Sequence, residues 1–233
     1  MTICFLQLSH RYYNYTLSIN GVAEEHGDNY EDDYLTDVIG RKADTWLNSY
    51  EKQSNEDKKP FLMVLSTPAP HGPFTPAPQY ANEFANEKAP RTPAFNYAEE
   101  GNSRKHWVMR QQPLPLTQDL IDEVDEVFRN RWRTLLSVDD MVDKVMTKIE
   151  AMGELDNTFF ILTSDHGYHL GTFGLMWDKR MMYDTGKSRE CFICSLIVYR
   201  KKMSFNGTII NVSTFLSYRS SSSTIGKRSW CYV

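Results

Sequence analysis

The chain has 233 residues, 41% hydrophobic and 24% charged, with a formal net charge of -4. That composition is ordinary for a globular protein with a sizeable core. The charge is too mild, and the basic residues too scattered, to point to nucleic acid as a partner, so a polyanionic ligand would have to be met by local positive groups.

No run of about 20 apolar residues marks a transmembrane span. Met1 to His10 lacks the basic start, apolar centre and small-residue cleavage site of a signal peptide. Four cysteines, Cys4, Cys191, Cys194 and Cys231, lie toward the ends. Cys191-x-x-Cys194 has the spacing of a redox pair or half a zinc site. With no second Cys/His pair at ligand spacing, the cysteines are read as unpaired thiols. Asn14-Tyr15-Thr16, Asn206-Gly207-Thr208 and Asn211-Val212-Ser213 fit the glycosylation sequon.

In chain order, the first periodic signal is Tyr34 to Tyr50. Leu35, Val38, Ile39, Ala43, Trp46 and Leu47 recur at three- and four-residue steps, which predicts an amphipathic helix. Glu51 to Pro60 is polar and ends in proline, a loop. Phe61 to Leu65 is a short apolar run flanked by that loop and by Thr67-Pro68-Ala69-Pro70, which predicts a buried strand. Pro68 to Pro115 reads as a long excursion, of the kind that carries function or is disordered. Thr117 to Met152 predicts the longest helix, capped by Thr117 and ended by Gly153. Its length calls for a kink or a break. Thr158 to Thr163 predicts a second buried strand. Strand, helix and strand make an α/β chain, and in such chains ligands bind beyond the carboxyl ends of the strands. Beyond Asp184 no cap, turn or period organises the sequence.

Two polar clusters follow the predicted strands. Asp165-His166 sets a carboxylate beside an imidazole, a pairing suited to a metal ion; equally, Asp165 can cap a turn with His166 a plain loop residue. His71, in the stiff turn Pro70-His71-Gly72-Pro73, can protonate a leaving group near neutral pH or simply pack against the prolines. Lys179, in Trp177-Asp178-Lys179-Arg180, can neutralise an oxyanion or sit on a solvated charged turn.

Taken together, these segments resemble the sulfatase family, specifically the N-acetylglucosamine-6-sulfatase type. The resemblance runs from about Tyr12 to Tyr183. It is carried by Tyr12 to Gly21, Asp33 to Val38, Thr67 to His71, Lys105-His106-Trp107, Arg131 to Asp140, Thr163 to His169 and Asp178-Lys179-Arg180, all in order. It implies an alkaline-phosphatase-like α/β fold, with a central, mostly parallel sheet flanked by helices and incomplete on its N-terminal side. It also implies hydrolysis of sulfate esters at the 6-position of glucosamine in heparan or keratan sulfate. Asp165 and His166 then match metal (calcium) ligands, although asparagine is the usual residue at the second position. His71 matches the histidine that contacts sulfate and leaving group, and Lys179 a sulfate-binding lysine. His106 and His169 are expected to face the sugar, and Asn14 to carry a glycan in a lysosomal or secreted protein. The family's nucleophile is a formylglycine made from the cysteine of a C-x-P-S-R or C-x-A-S-R motif, and none of the four cysteines lies in one. The expected organisation is therefore a non-family leader over residues 1–11, the later part of a sulfatase catalytic domain over 12–186, and an unrelated tail over 187–233. The tail is expected to be disordered or intron-derived, since Gly186-Lys187-Ser188 can be encoded across a splice donor. The rival expectations are a non-catalytic module that binds sulfated glycan and a phosphodiesterase of the same superfamily.

Overall fold

The computed structural model describes residues 3–5, 11–54, 56–98, 107, 113–179, 191–195, 204–205 and 208–209. The chain begins with an antiparallel sheet of β1 (Ile3–Phe5), β2 (Tyr15–Ile19) and β3 (Val22–His26) in that order. Ile19 pairs with Val22, so Asn20 and Gly21 form a two-residue turn with φ of 52° and 88°. Such turns need positive φ at both central positions, which Asn and Gly tolerate. A single-turn helix, α1 (Tyr30–Asp33), follows; the Asn29 side chain accepts the Asp32 amide at 3.2 Å. Next comes α2 (Leu35–Glu51), the amphipathic helix the apolar spacing predicts.

The chain forms two compact units, each made of three stretches: residues 1–39, 66–138 and 163–190 in the first, and 40–65, 139–162 and 191–233 in the second. In the first unit Tyr15 and Leu17 of β2 pack on Leu35 and Val38 of α2. A second cluster joins Val124 and Phe128 to Ala89, Leu116 and Met176. These two residues come from α3 (Gln118–Ala151), whose 34 residues run without a break, about 51 Å at 1.5 Å per residue. The expected break is absent because the helix interior contains neither proline nor glycine, the usual causes. At its start the Thr117 carbonyl accepts the Ile121 amide at 3.0 Å, while the Thr117 hydroxyl bonds the Asp119 side chain. At its end Gly153 adopts φ of 74°, and Glu154 N donates to Ile149 O while Gly153 N donates to Glu150 O. That pair of bonds is the Schellman arrangement, which satisfies carbonyls the helix leaves open.

In the second unit Ala43 and Leu47 pack against Val145 and Ile149, with Phe61, Met63, Leu65 and Phe160 alongside. The expected strand at Phe61 to Leu65 is not formed. Alternate residues pack inward while Leu62 and Val64 stand 89% and 76% exposed. The segment has the side-chain alternation of a strand, but among the described residues no ladder partner. The second expected strand does form, as β4 (Phe159–Thr163), but it is not buried: only Phe160 packs inward, and Phe159 and Ile161 are 67% and 61% exposed. A two-stranded hairpin, β5 (His169–Leu170) with β6 (Trp177–Asp178), follows. Of the stretch from residue 187, the described residues are β7 (Cys191–Ser195), which pairs with β4, and the small hairpin of β8 (Ser204–Phe205) and β9 (Thr208–Ile209). The rest of that expected tail lies outside the described residues, as do the sequon asparagines Asn206 and Asn211.

Candidate active site

Every described candidate site residue belongs to the first unit. His71 sits in a turn tied at both ends. Its amide donates to Pro68 O at 2.8 Å, and its carbonyl accepts the Phe74 amide at 3.1 Å. Two buried tyrosines hold the outside of the turn: Tyr12 donates to His71 O at 2.9 Å and Tyr34 to Thr75 O at 3.1 Å. Their rings stack, with centroids 5.8 Å apart. Burial raises both phenols well above their ordinary range, so they act as fixed neutral donors.

The His71 ring lies with Nδ1 2.9 Å from Gly72 O. A carbonyl can only accept, so Nδ1 carries the proton and Nε2 is the basic nitrogen. His166 repeats the device: its Nδ1 lies 2.8 Å from Gly167 O. At the end of β4, Ser164 Oγ closes the next turn by donating to His166 O at 2.7 Å. Asp165, 85% exposed, approaches His166 Nε2 at 3.5 Å. Calcium takes six to eight oxygen ligands. Among the described residues no group of three His, Cys, Asp or Glu side chains gathers to hold a metal. One carboxylate and one imidazole do not by themselves fit a calcium site.

His169 lies in β5, where it pairs with Asp178 of β6, and Lys179 directly follows β6. His169 is 1% exposed, so the ring expected to face a sugar is packed inside. Asp178 adopts φ of 114° and its carboxylate accepts the Lys179 amide at 2.7 Å, fixing the backbone that carries Lys179. The loop between the strands is set by Gly171 and Gly174, with φ of 82° and 72°. His106 lies outside the described residues. Asn14 is exposed, at the start of β2.

One residue that motif reading left unassigned connects these pieces. Arg131, on α3, donates from Nη1 to Pro70 O at 2.8 Å, and its guanidinium lies 3.6 Å from the Tyr168 ring centroid. The His71 turn and the segment between Asp165 and His169 thus meet on one side chain. Its only signal in the sequence was its place within Arg131-Trp132-Arg133. A hollow of about 430 Å³ lined by Trp46, Tyr50, Phe61 and neighbours belongs to the second unit and contains none of these residues.

The sulfatase family model matches residues 6–215. The chain belongs to the sulfatase family. This sulfatase-family chain is 50% identical over 179 residues to an N-acetylglucosamine-6-sulfatase of Capra hircus, covering 77% of the chain and 31% of the relative. It is 49% identical to the Homo sapiens protein of that name over 179 residues, with the same coverage. The extracellular sulfatase SULF-1 homolog of Drosophila melanogaster is 39% identical over 180 residues, or 77% of the chain and 16% of that protein. The sulfatase sequence here thus spans about a third, or less, of the relatives it matches. The solved structure of BT4656 in complex with its substrate D-glucosamine-2-N,6-O-disulfate superposes with a TM-score of 0.60 at 22% identity, over 78% of this chain and 46% of that one. That likeness establishes the sulfatase α/β fold.

Proposed function

We propose that this chain forms part of the catalytic domain of a sulfuric ester hydrolase acting on 6-sulfated glucosamine in heparan or keratan sulfate. The observation that carries the reading is half-identity to N-acetylglucosamine-6-sulfatases over 179 residues. That stretch includes a histidine turn whose proton is already placed on Nδ1. In this reading His71 Nε2 handles the proton of the leaving sugar hydroxyl, and Lys179 neutralises charge on the sulfuryl oxygens. Asp165 and His166 are the two metal-ligand candidates of this reading, and the described residues bring no third His, Cys, Asp or Glu beside them. Two such donors alone bind calcium no more tightly than about millimolar, the loose end of protein calcium sites. Micromolar binding by calorimetry, abolished in Asp165→Ala, would show that the ligand set is already complete.

The nucleophile is the missing part. With no cysteine in a formylglycine motif, the chain by itself is expected to release no sulfate from glucosamine 6-sulfate. In a sulfatase polypeptide that carries that motif together with this sequence, His71→Ala or Lys179→Ala lowers turnover by about 10²–10⁴-fold. Sulfate release by the 233-residue chain, lost in Lys179→Ala, would overturn the assignment. A second reading is a module that binds sulfated glycan without cleaving it; tight binding with no turnover in any longer form would select it. Lysosomal or secreted localisation belongs to either reading. It is supported by the exposed sequon at Asn14 and by the extracellular sulfatase among the relatives. Among the described residues no helix is long and apolar enough to cross a membrane.

A further inference from the structure

Arginines in this fold are generally given oxygen partners. Arg91 forks onto the Asp125 carboxylate at 2.7 and 2.8 Å. Arg133 donates to Glu83 O and Asn130 Oδ1, and Arg129 to Glu87 O. Arg131, half-buried like Arg129 and Arg133, shares with them the lack of a carboxylate within salt-bridge distance among the described residues, but it stands beside the His71 turn and burial acts against its charge. Its contacts are the Pro70 carbonyl and the ring face and hydroxyl of Tyr168, none of them anionic. A charge taken out of water is normally paired, because an uncompensated one is costly. Burial works against the Arg131 charge, offset only in part by Tyr168 and Tyr12. Five N–H donors in a planar fork exceed what one carbonyl and one phenol can use. The fork also lies one peptide link from the candidate proton-transfer histidine, because the carbonyl it holds is that of Pro70.

We infer that Arg131 is an anion-binding group of the candidate active site, and that its ligand is an oxyanion carried by the glycan. The inference rests on the functional reading above and extends it. An oxyanion at this fork restores the missing counter-charge and takes two parallel N–H bonds, which a lysine ammonium cannot reproduce while also stacking on Tyr168. The tie to Pro70 then holds the anion at a set distance from the His71 turn.

The test uses the whole 233-residue chain and an arginine-selective dicarbonyl reagent, with modification read by peptide mass spectrometry. Sulfate, at ionic strength matched with chloride, should slow modification of Arg131 by tenfold or more while leaving Arg91 unaffected. Glucuronate in place of sulfate shows whether a carboxylate serves as well. In parallel, sulfate should raise the melting temperature of the wild type above that in chloride. That increment should disappear in Arg131→Gln and shrink in Arg131→Lys. Because the modification assay needs no variant, it decides even if Arg131→Gln fails to fold. Equal modification rates with sulfate, glucuronate and chloride would overturn the inference, leaving Arg131 as a clamp between two segments. Glucosamine 6-sulfate separates the two readings. If it binds wild type and Arg131→Gln equally, this inference fails and the sulfatase reading stands. If it protects Arg131 no better than inorganic sulfate does, the anion site stands and the 6-sulfated glucosamine substrate loses support.

Discussion

Two glycines show how differently one residue type can be constrained. Gly153 has φ of 74° with nothing near the position a Cβ would take. Gly153→Ala therefore meets backbone strain alone and costs about 1–2 kcal/mol. Gly171 has φ of 82°, and its Cβ would also fall 2.3 Å from a Phe95 ring carbon. Gly171→Ala adds overpacking to strain and costs about 2–4 kcal/mol. Denaturant midpoints of the two variants measure the gap, and equal losses would refute the packing argument. A carboxylate makes a matching case. Burial would raise the Asp33 pKa, but the Gly27 and Asn29 amides and the His26 ring outweigh it and hold the group below its ordinary value. Its contribution is therefore complete above about pH 4 and is lost as pH falls through the lowered value. The melting temperature should drop on acidification below about pH 4, and less steeply in Asp33→Asn.

Among elements, α3 is held to its surroundings by a buried acid. Asp125 accepts the Ala89 amide at 2.9 Å besides the Arg91 fork, with its side chain 5% exposed. Asp125→Ala leaves two donors, the Ala89 amide and Arg91 Nη2, short of their acceptor and costs about 2–3 kcal/mol, charged hydrogen bonds being the stronger kind. A lower denaturant midpoint at unchanged slope is the expected readout. The two long helices were legible in sequence because a 3.6-residue stripe over 17 and 34 residues averages out local exceptions. The β2–β3 hairpin was overlooked, although Asn20-Gly21 is the strongest short-range hairpin signal there is. At Phe61 to Leu65 an apolar run was read as a buried strand. A run of five cannot reveal whether neighbours cover both faces, and here only one face is covered.

At the scale of the whole molecule, what stands out is apolar side chains left uncovered. Leu62, Val64, Phe159 and Ile161, all in the second unit, are between 61% and 89% exposed. Exposed apolar side chains of this number favour self-association. The chain should sediment with a mass that rises with concentration, and Leu62→Lys with Val64→Lys should suppress that rise. A strictly monomeric wild type would refute the point. The candidate site was legible to a different degree. His71, Asp165, His166 and Lys179 stood out because family segments surround them. Arg131 did not, because its significance lies in two partners 61 and 37 positions away (131 − 70 and 168 − 131), which only folding reveals.

The tyrosines over the His71 turn have an optical consequence. Tyr12 and Tyr34 keep their protons far above the ordinary phenol pKa of 10.0, whereas burial and nearby carboxylates push Tyr13 up only to about 12. A group whose pKa is raised by folding stabilises the fold below its unfolded value and loses that contribution as pH climbs toward the folded one. Alkaline titration followed by tyrosinate absorbance near 295 nm, a wavelength of order 300 nm set by the phenolate chromophore, should thus show a lagging fraction that ionises abruptly when the turn comes apart. Phe substitution at position 12 or 34 should shrink that lagging step. The protein therefore carries a built-in dye for the integrity of its candidate catalytic loop, readable without substrate, metal or label.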